Sequence, residues 1–82
     1  MAYELEIKPE ALKVLRALAP EIRQEVGYRL HCVQVDFSGN VQKLRGSKNE
    51  YRLRVGCLRV LFELDGNRII VYAVGDRKDI YR

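Results

Sequence analysis

Eighty-two residues with a formal net charge of +4 can close one modest hydrophobic core, so residues 1–82 are read as a single domain. Apolar residues at 48% with charged residues at 32% exclude intrinsic disorder, whose mark is low hydrophobicity with high net charge. The sequence has no apolar run of membrane-spanning length, no signal-like start in MAYELEIK and no metal-ligand spacing around Cys32 and Cys57, which predicts a reduced cytoplasmic protein that uses neither metal nor cofactor.

Tyr3, Leu5 and Ile7 alternate with Glu4, Glu6 and Lys8 in the period of a half-buried strand, which Pro9 ends. Proline suits the first turn of a helix, so KPEALKVLRALA predicts a helix from about residue 9, with Leu12, Leu15, Leu18 and Ala19 on its inner stripe. Pro20 opens a second helix in which Ile22, Val26, Leu30 and Val33 share a face, giving a helical hairpin. His31, the one histidine, falls in that helix with no nucleophile or carboxylate at a telling spacing, and is read as structural or exposed.

Residues 36–49 are rich in Ser, Gly, Asn and charge and predict a connecting loop anchored by Val41 and Leu44. Beyond it Tyr51, Leu53 and Val55 alternate with Arg52 and Arg54, and Gly56-Cys57 offers a two-residue turn into LRVLFEL. Asp65-Gly66-Asn67 forms a second turn, RIIVYAV reads as a central strand, and a short last strand is placed at Asp79 to Tyr81. The sum is an α+β fold: an N-terminal strand and a helical hairpin packed on a twisted antiparallel β-sheet.

A turn at Gly56-Cys57 sets Val55 opposite Leu58, Arg54 opposite Arg59, Leu53 opposite Val60 and Arg52 opposite Leu61. The arginines then share one face, while Tyr51, Leu53, Val55, Leu58, Val60, Phe62 and Leu64 supply the core on the other. Like charges facing each other across a sheet are unfavourable until an anion lies between them, and guanidinium groups grip phosphate oxygens bidentately. The plainer alternative is a solvated basic face with the arginines paired to Glu50 and Glu63. By the same parity Leu61, Ile70, Tyr72 and Val74 join the arginine face, either to seat a base or to form a second small core, and a buried Tyr72 would need a polar partner. Charge is unevenly divided: residues 1–42 carry five basic and six acidic side chains, residues 43–82 ten and five. The second half therefore carries a field that attracts polyanions or an acidic protein.

The stretches KLRGSKNEYRLRVGCLRVLFEL and VYAVGDRKDIYR, in this order of elements, resemble the RelE branch of the RelE/ParE toxin superfamily over the whole chain. The resemblance implies a RelE-like microbial RNase fold and a type II toxin. Its activity would be that of a ribosome-dependent mRNA endoribonuclease, or mRNA interferase. In that chemistry the RNA 2′-hydroxyl attacks the adjacent phosphate. Its implied partners are a cognate antitoxin, the ribosome and mRNA, with no membrane and no metal. The same resemblance puts basic catalytic residues at Arg52, Arg54, Arg59 and Arg77, and a tyrosine for base stacking or proton transfer at Tyr81. Lys43, Arg45, Lys48, Lys78 and Arg82 are the candidates for binding RNA.

Three positions depart from the family pattern. Arg52 and Arg54 stand where lysines are common, which weakens any general-base role because arginine stays protonated; Lys48 or Lys78 would be substitutes. Asp76 replaces a frequent histidine and is read chiefly as a partner of Arg77. Cys57-Leu58 replaces an acidic or polar residue followed by tyrosine. A ParE-like inhibitor of DNA gyrase, or a catalytically weak homologue that mainly binds its antitoxin, are the alternative readings.

Overall fold

Pro9 and Pro20 each open a helix, where a missing N–H costs nothing, and the computed structural model describes residues 3–37 and 41–76. Strand β1 (Glu4–Ile7) leads into helices α1 (Pro9–Ala17) and α2 (Pro20–Asp36), followed by β2 (Val41–Lys43), β3 (Glu50–Val55), β4 (Leu58–Asp65) and β5 (Arg68–Asp76). The five strands form one sheet in the order β1-β5-β4-β3-β2. The sheet is mixed, because the two-helix connection carries the chain back so that β1 runs parallel to β5, Glu4 beside Arg68 and Ile7 beside Val71. The remaining pairings are antiparallel, as expected.

The expected loop at 36–49 is partly regular. Helix α2 runs on to Asp36, and β2 pairs Val41 with Leu53, Gln42 with Arg52 and Lys43 with Tyr51. The chain between β2 and β3 is held by Leu44 N–H donating to Glu50 O (2.9 Å) and by Ser47 Oγ accepting from Glu50 N–H (2.8 Å). The expected strand at Asp79 to Tyr81 lies outside the described residues.

Leu53, Val60, Phe62, Ile69 and Val71 point from the sheet toward Val26, Leu30 and Val33 of α2 and Ala11 and Leu15 of α1, forming the core. Ile22, predicted for the same stripe, is 45% exposed, since the core-facing turns of α2 begin only at Val26. On α1 the deeply buried positions are Ala11 and Leu15; Leu12 and Leu18 are half-buried and Ala19 is exposed. Helix α2 ends at Phe37 in the left-handed region (φ 58°), where its N–H caps Val33 O at 2.8 Å. A bulky residue there is strained, and its ring is held by Tyr3, Tyr51 and Phe62 at centroid distances of 5.5, 5.2 and 5.9 Å. Among the described residues no helix is long and apolar enough to cross a membrane.

Gly56 (φ 59°) and Gly66 (φ 62°) occupy the first position of the β3–β4 and β4–β5 turns. With positive φ at the first central residue only, both turns are type II′, which matches the twist of the flanking strands. Gly56→Ala is therefore expected to cost about 1–2 kcal/mol in urea unfolding, the strain of an L-residue in that conformation. An unchanged midpoint would show that the turn can rearrange.

Candidate active site

The β3–β4 register is Val55 with Leu58, Arg54 with Arg59, Leu53 with Val60 and Arg52 with Leu61, as the Gly56-Cys57 turn predicts. Arg52, Arg54 and Arg59 thus stand on the sheet face that points away from the core. Their environments differ. Arg54 is exposed, Arg52 is half-buried with its guanidinium donating to Gln42 Oε1, and Arg59 is only 5% exposed. Among the described residues Arg59 makes one side-chain hydrogen bond, from Nη1 to its neighbour's carbonyl, Leu58 O, at 3.3 Å; its buried Nε has no partner.

A buried, unpaired N–H on a charged group costs roughly 1–3 kcal/mol, and a like charge on the cross-strand partner, Arg54, adds repulsion. An anionic oxygen bound by Arg59 and Arg54 would offset both penalties. Low local dielectric strengthens that attraction, so the arrangement suits a phosphate better than it suits the empty protein.

Away from the turn the same face changes sign. Glu50 lies opposite Glu63, and the two carboxylates take donors other than the arginine pair: Tyr72 Oη donates to Glu50 at 2.8 Å and Asn49 Nδ2 to Glu63 at 3.1 Å. On β1, Glu6 holds Arg68 in an exposed ion pair at 2.7 Å. An anion is thereby favoured at the hairpin end of the face and disfavoured at the far end.

The β4–β5 pairing slips between Leu61 and Phe62: Leu61 pairs with Ala73 but Phe62 with Val71, leaving Tyr72 as the extra residue of a β-bulge. The slip reverses the parity of β5 beyond it. Val74, expected on the arginine face, pairs with Val60 and joins the core, and Ala73 takes its place opposite Leu61. Leu61 and Ile70 do lie on the arginine face, each 8% exposed, and Tyr72 has the polar partner that its burial required.

Of the expected RNA contacts, Lys43 pairs with Tyr51 and so belongs to the helix side of the sheet, because β2 presents Gln42 beside Arg52 instead. Arg45 and Lys48 are exposed in the segment between β2 and β3. Arg77, Lys78, Tyr81 and Arg82 lie outside the described residues, and Asp76 ends β5 beside Leu58. Gln42 is the partner of Arg52 that sequence reading missed; a three-residue edge strand carries too short a pattern to reveal its face. His31 is exposed on α2, on the other side of the sheet. Among the described residues no three His, Cys, Asp or Glu side chains converge to hold a metal ion.

The family described as the ParE toxin of type II toxin–antitoxin systems, parDE, matches residues 5–81. The chain belongs to this family. Within it, the likeness is to RelE-type toxins. Toxin RelE3 of Methanocaldococcus jannaschii is 41% identical over 46 residues, which span 56% of this chain and about half, 52%, of the relative. A variant of the E. coli toxin RelE in the free state superposes with a TM-score of 0.81 at 28% identity, covering 98% of this chain and 88% of that one. The RelB-RelE antitoxin-toxin complex from Methanococcus jannaschii gives 0.79 at 28% identity, with 93% and 94% covered. These likenesses agree with the α+β architecture of two helices on a sheet.

Proposed function

We propose that this toxin is a ribosome-dependent mRNA endoribonuclease that works from the arginine face. The observation that carries the reading is Arg59, buried beside Arg54 with an unsatisfied Nε. Such a group is costly in the free protein and favourable only against an anion. The likeness to RelE toxins supports the choice of RNA as that anion.

RNA brings its own nucleophile. The 2′-hydroxyl oxygen attacks the adjacent phosphorus, the bond from phosphorus to the 5′-oxygen breaks, and the products are a cyclic phosphate and a 5′-hydroxyl. Arg59, with Arg77, holds the phosphoryl oxygens as their charge grows, while Arg52 and Arg54 align the attack. Arginine has a pKa above about 12, so these residues stabilise charge and do not accept the proton. Tyr81 stacks on a base or moves a proton. The solved relative bound to RelB supports a cognate antitoxin, which would cover the basic face with acidic or amphipathic segments. A cytoplasmic site of action follows from this reading.

Pulsed expression tests the proposal. Translated messages are expected to acquire cuts bearing 5′-hydroxyl ends, and the cuts should disappear when translation initiation is blocked. Intact messages in arrested cells would end the ribonuclease reading. Double-strand breaks in DNA with SOS induction would replace it with gyrase inhibition.

A further inference from the structure

Where β1 ends, its place beside β5 passes to a helix. Lys8 N–H donates to Val71 O at 2.8 Å, Pro9 then opens α1, and the rest of β5 is flanked by α1. While Ala11 and Leu15 of α1 face the core, Glu10 and Val14 border the edge of β5. The result is a cavity of about 450 Å³ whose lining includes Glu10 and Val14 of α1 and Leu61, Tyr72, Ala73 and Gly75 of the sheet. The bulge at Tyr72 gives it a low floor by bringing the small Ala73 opposite Leu61 and Gly75 opposite Arg59. Nothing in the phosphate chemistry above uses this space.

We infer that the cavity is a nucleobase subsite, and that Glu10 makes it selective for guanine; the inference rests on the ribonuclease reading and extends it. Gly75 is the strand partner of Arg59, so the cavity's lining begins one strand spacing, about 5 Å, from the backbone of the phosphate-binding arginine. Neighbouring strands are close enough for one nucleotide to place its phosphate at Arg59 and its base in the cavity. Val14, Leu61 and the ring of Tyr72 give apolar walls for the faces of a base. The Glu10 carboxylate repels phosphate, which fixes the direction: backbone over Arg54 and Arg59, base toward α1.

Two carboxylate oxygens accept two adjacent donors, and guanine alone carries such a pair on its Watson–Crick edge, N1–H beside N2–H. Adenine and cytosine set one amino group beside an acceptor, and uracil flanks its single N–H with two carbonyl oxygens that the carboxylate repels. One good bidentate pair separates bases by about tenfold or more.

Titrations of the full-length chain with guanosine 3′-monophosphate and with uridine 3′-monophosphate, followed by NMR, test this without requiring cleavage. The guanosine nucleotide is expected to bind about tenfold tighter and to shift the Leu61 and Ala73 signals, and Glu10→Gln should bring the two affinities to within about twofold. In ribosome reactions the ratio of cutting at guanine to cutting at uracil sites should fall by the same factor in Glu10→Gln. Equal affinities in the unsubstituted protein, shifts confined to the arginines, or a ratio that Glu10→Gln leaves unchanged would overturn the subsite. Selective guanosine binding without cleavage of any message would instead keep the subsite and sink the ribonuclease reading.

Discussion

Arg59→Ala is expected to lower message cleavage about 100- to 1,000-fold while leaving the melting temperature unchanged or higher. The loss is that of one preorganised donor to the charge that develops on a phosphoryl group. The thermal behaviour is the more telling half. A buried guanidinium with an unpaired Nε, whose cross-strand partner is a second arginine, contributes little to folding, and replacing such a charge with an apolar side chain is often neutral or stabilising. Arg59→Met, which keeps the bulk, should therefore match or exceed the parent in a thermal scan and be equally inactive. Arg59→Lys should recover little activity, because a point charge lacks the planar fork. A fall of several degrees in both variants would make Arg59 a structural residue and remove it from the site.

Phe62→Ala is expected to cost about 3–5 kcal/mol and to lower the melting temperature by well over 10 °C. Phe62 is fully buried on the inner face of β4, stacked on Tyr51 at 5.6 Å and met edge-on by Phe37 at 5.9 Å. Its removal would also free the strained Phe37 cap, so helix end and sheet should loosen together. Domains of this size hold only about 5–15 kcal/mol in total, so a substantial unfolded fraction at 37 °C is the expected result. Circular dichroism against temperature checks it, and a loss under about 1.5 kcal/mol would mean that the aromatic cluster repacks.

The hairpin that carries the arginines was the most legible part of the chain. Strict alternation from Tyr51 to Val55 and a two-residue glycine turn leave one register, and that register alone brings positions 52, 54 and 59 to one face. The same reasoning failed one strand later. Parity counted from Phe62 assigns Val74 to the arginine face, but the bulge at Tyr72 adds a residue and reverses the count, and a bulge without glycine leaves no mark in the sequence. The parallel pairing of β1 was likewise hidden, since alternation fixes a face and not a neighbour. Ile22 matched the helical period of the core residues and is nevertheless exposed, because periodicity cannot say where along α2 the contact with the sheet begins. The burial of Arg59 was also out of reach of pattern, which distinguishes faces and not depths. Burial is what turns that arginine from a surface charge into a candidate for catalysis.

The decisive measurement is cleavage of a defined message on purified ribosomes by the purified toxin, comparing an all-ribose message with one carrying a single 2′-deoxynucleotide immediately 5′ of the scissile phosphate. If the arginine face acts by aligning the 2′-oxygen against phosphorus, the unmodified message is cut to a 5′-hydroxyl end, the deoxy message stays whole at that position, and Arg59→Ala leaves both whole. Cutting of the deoxy message at the same bond, or full cutting by Arg59→Ala, would contradict it.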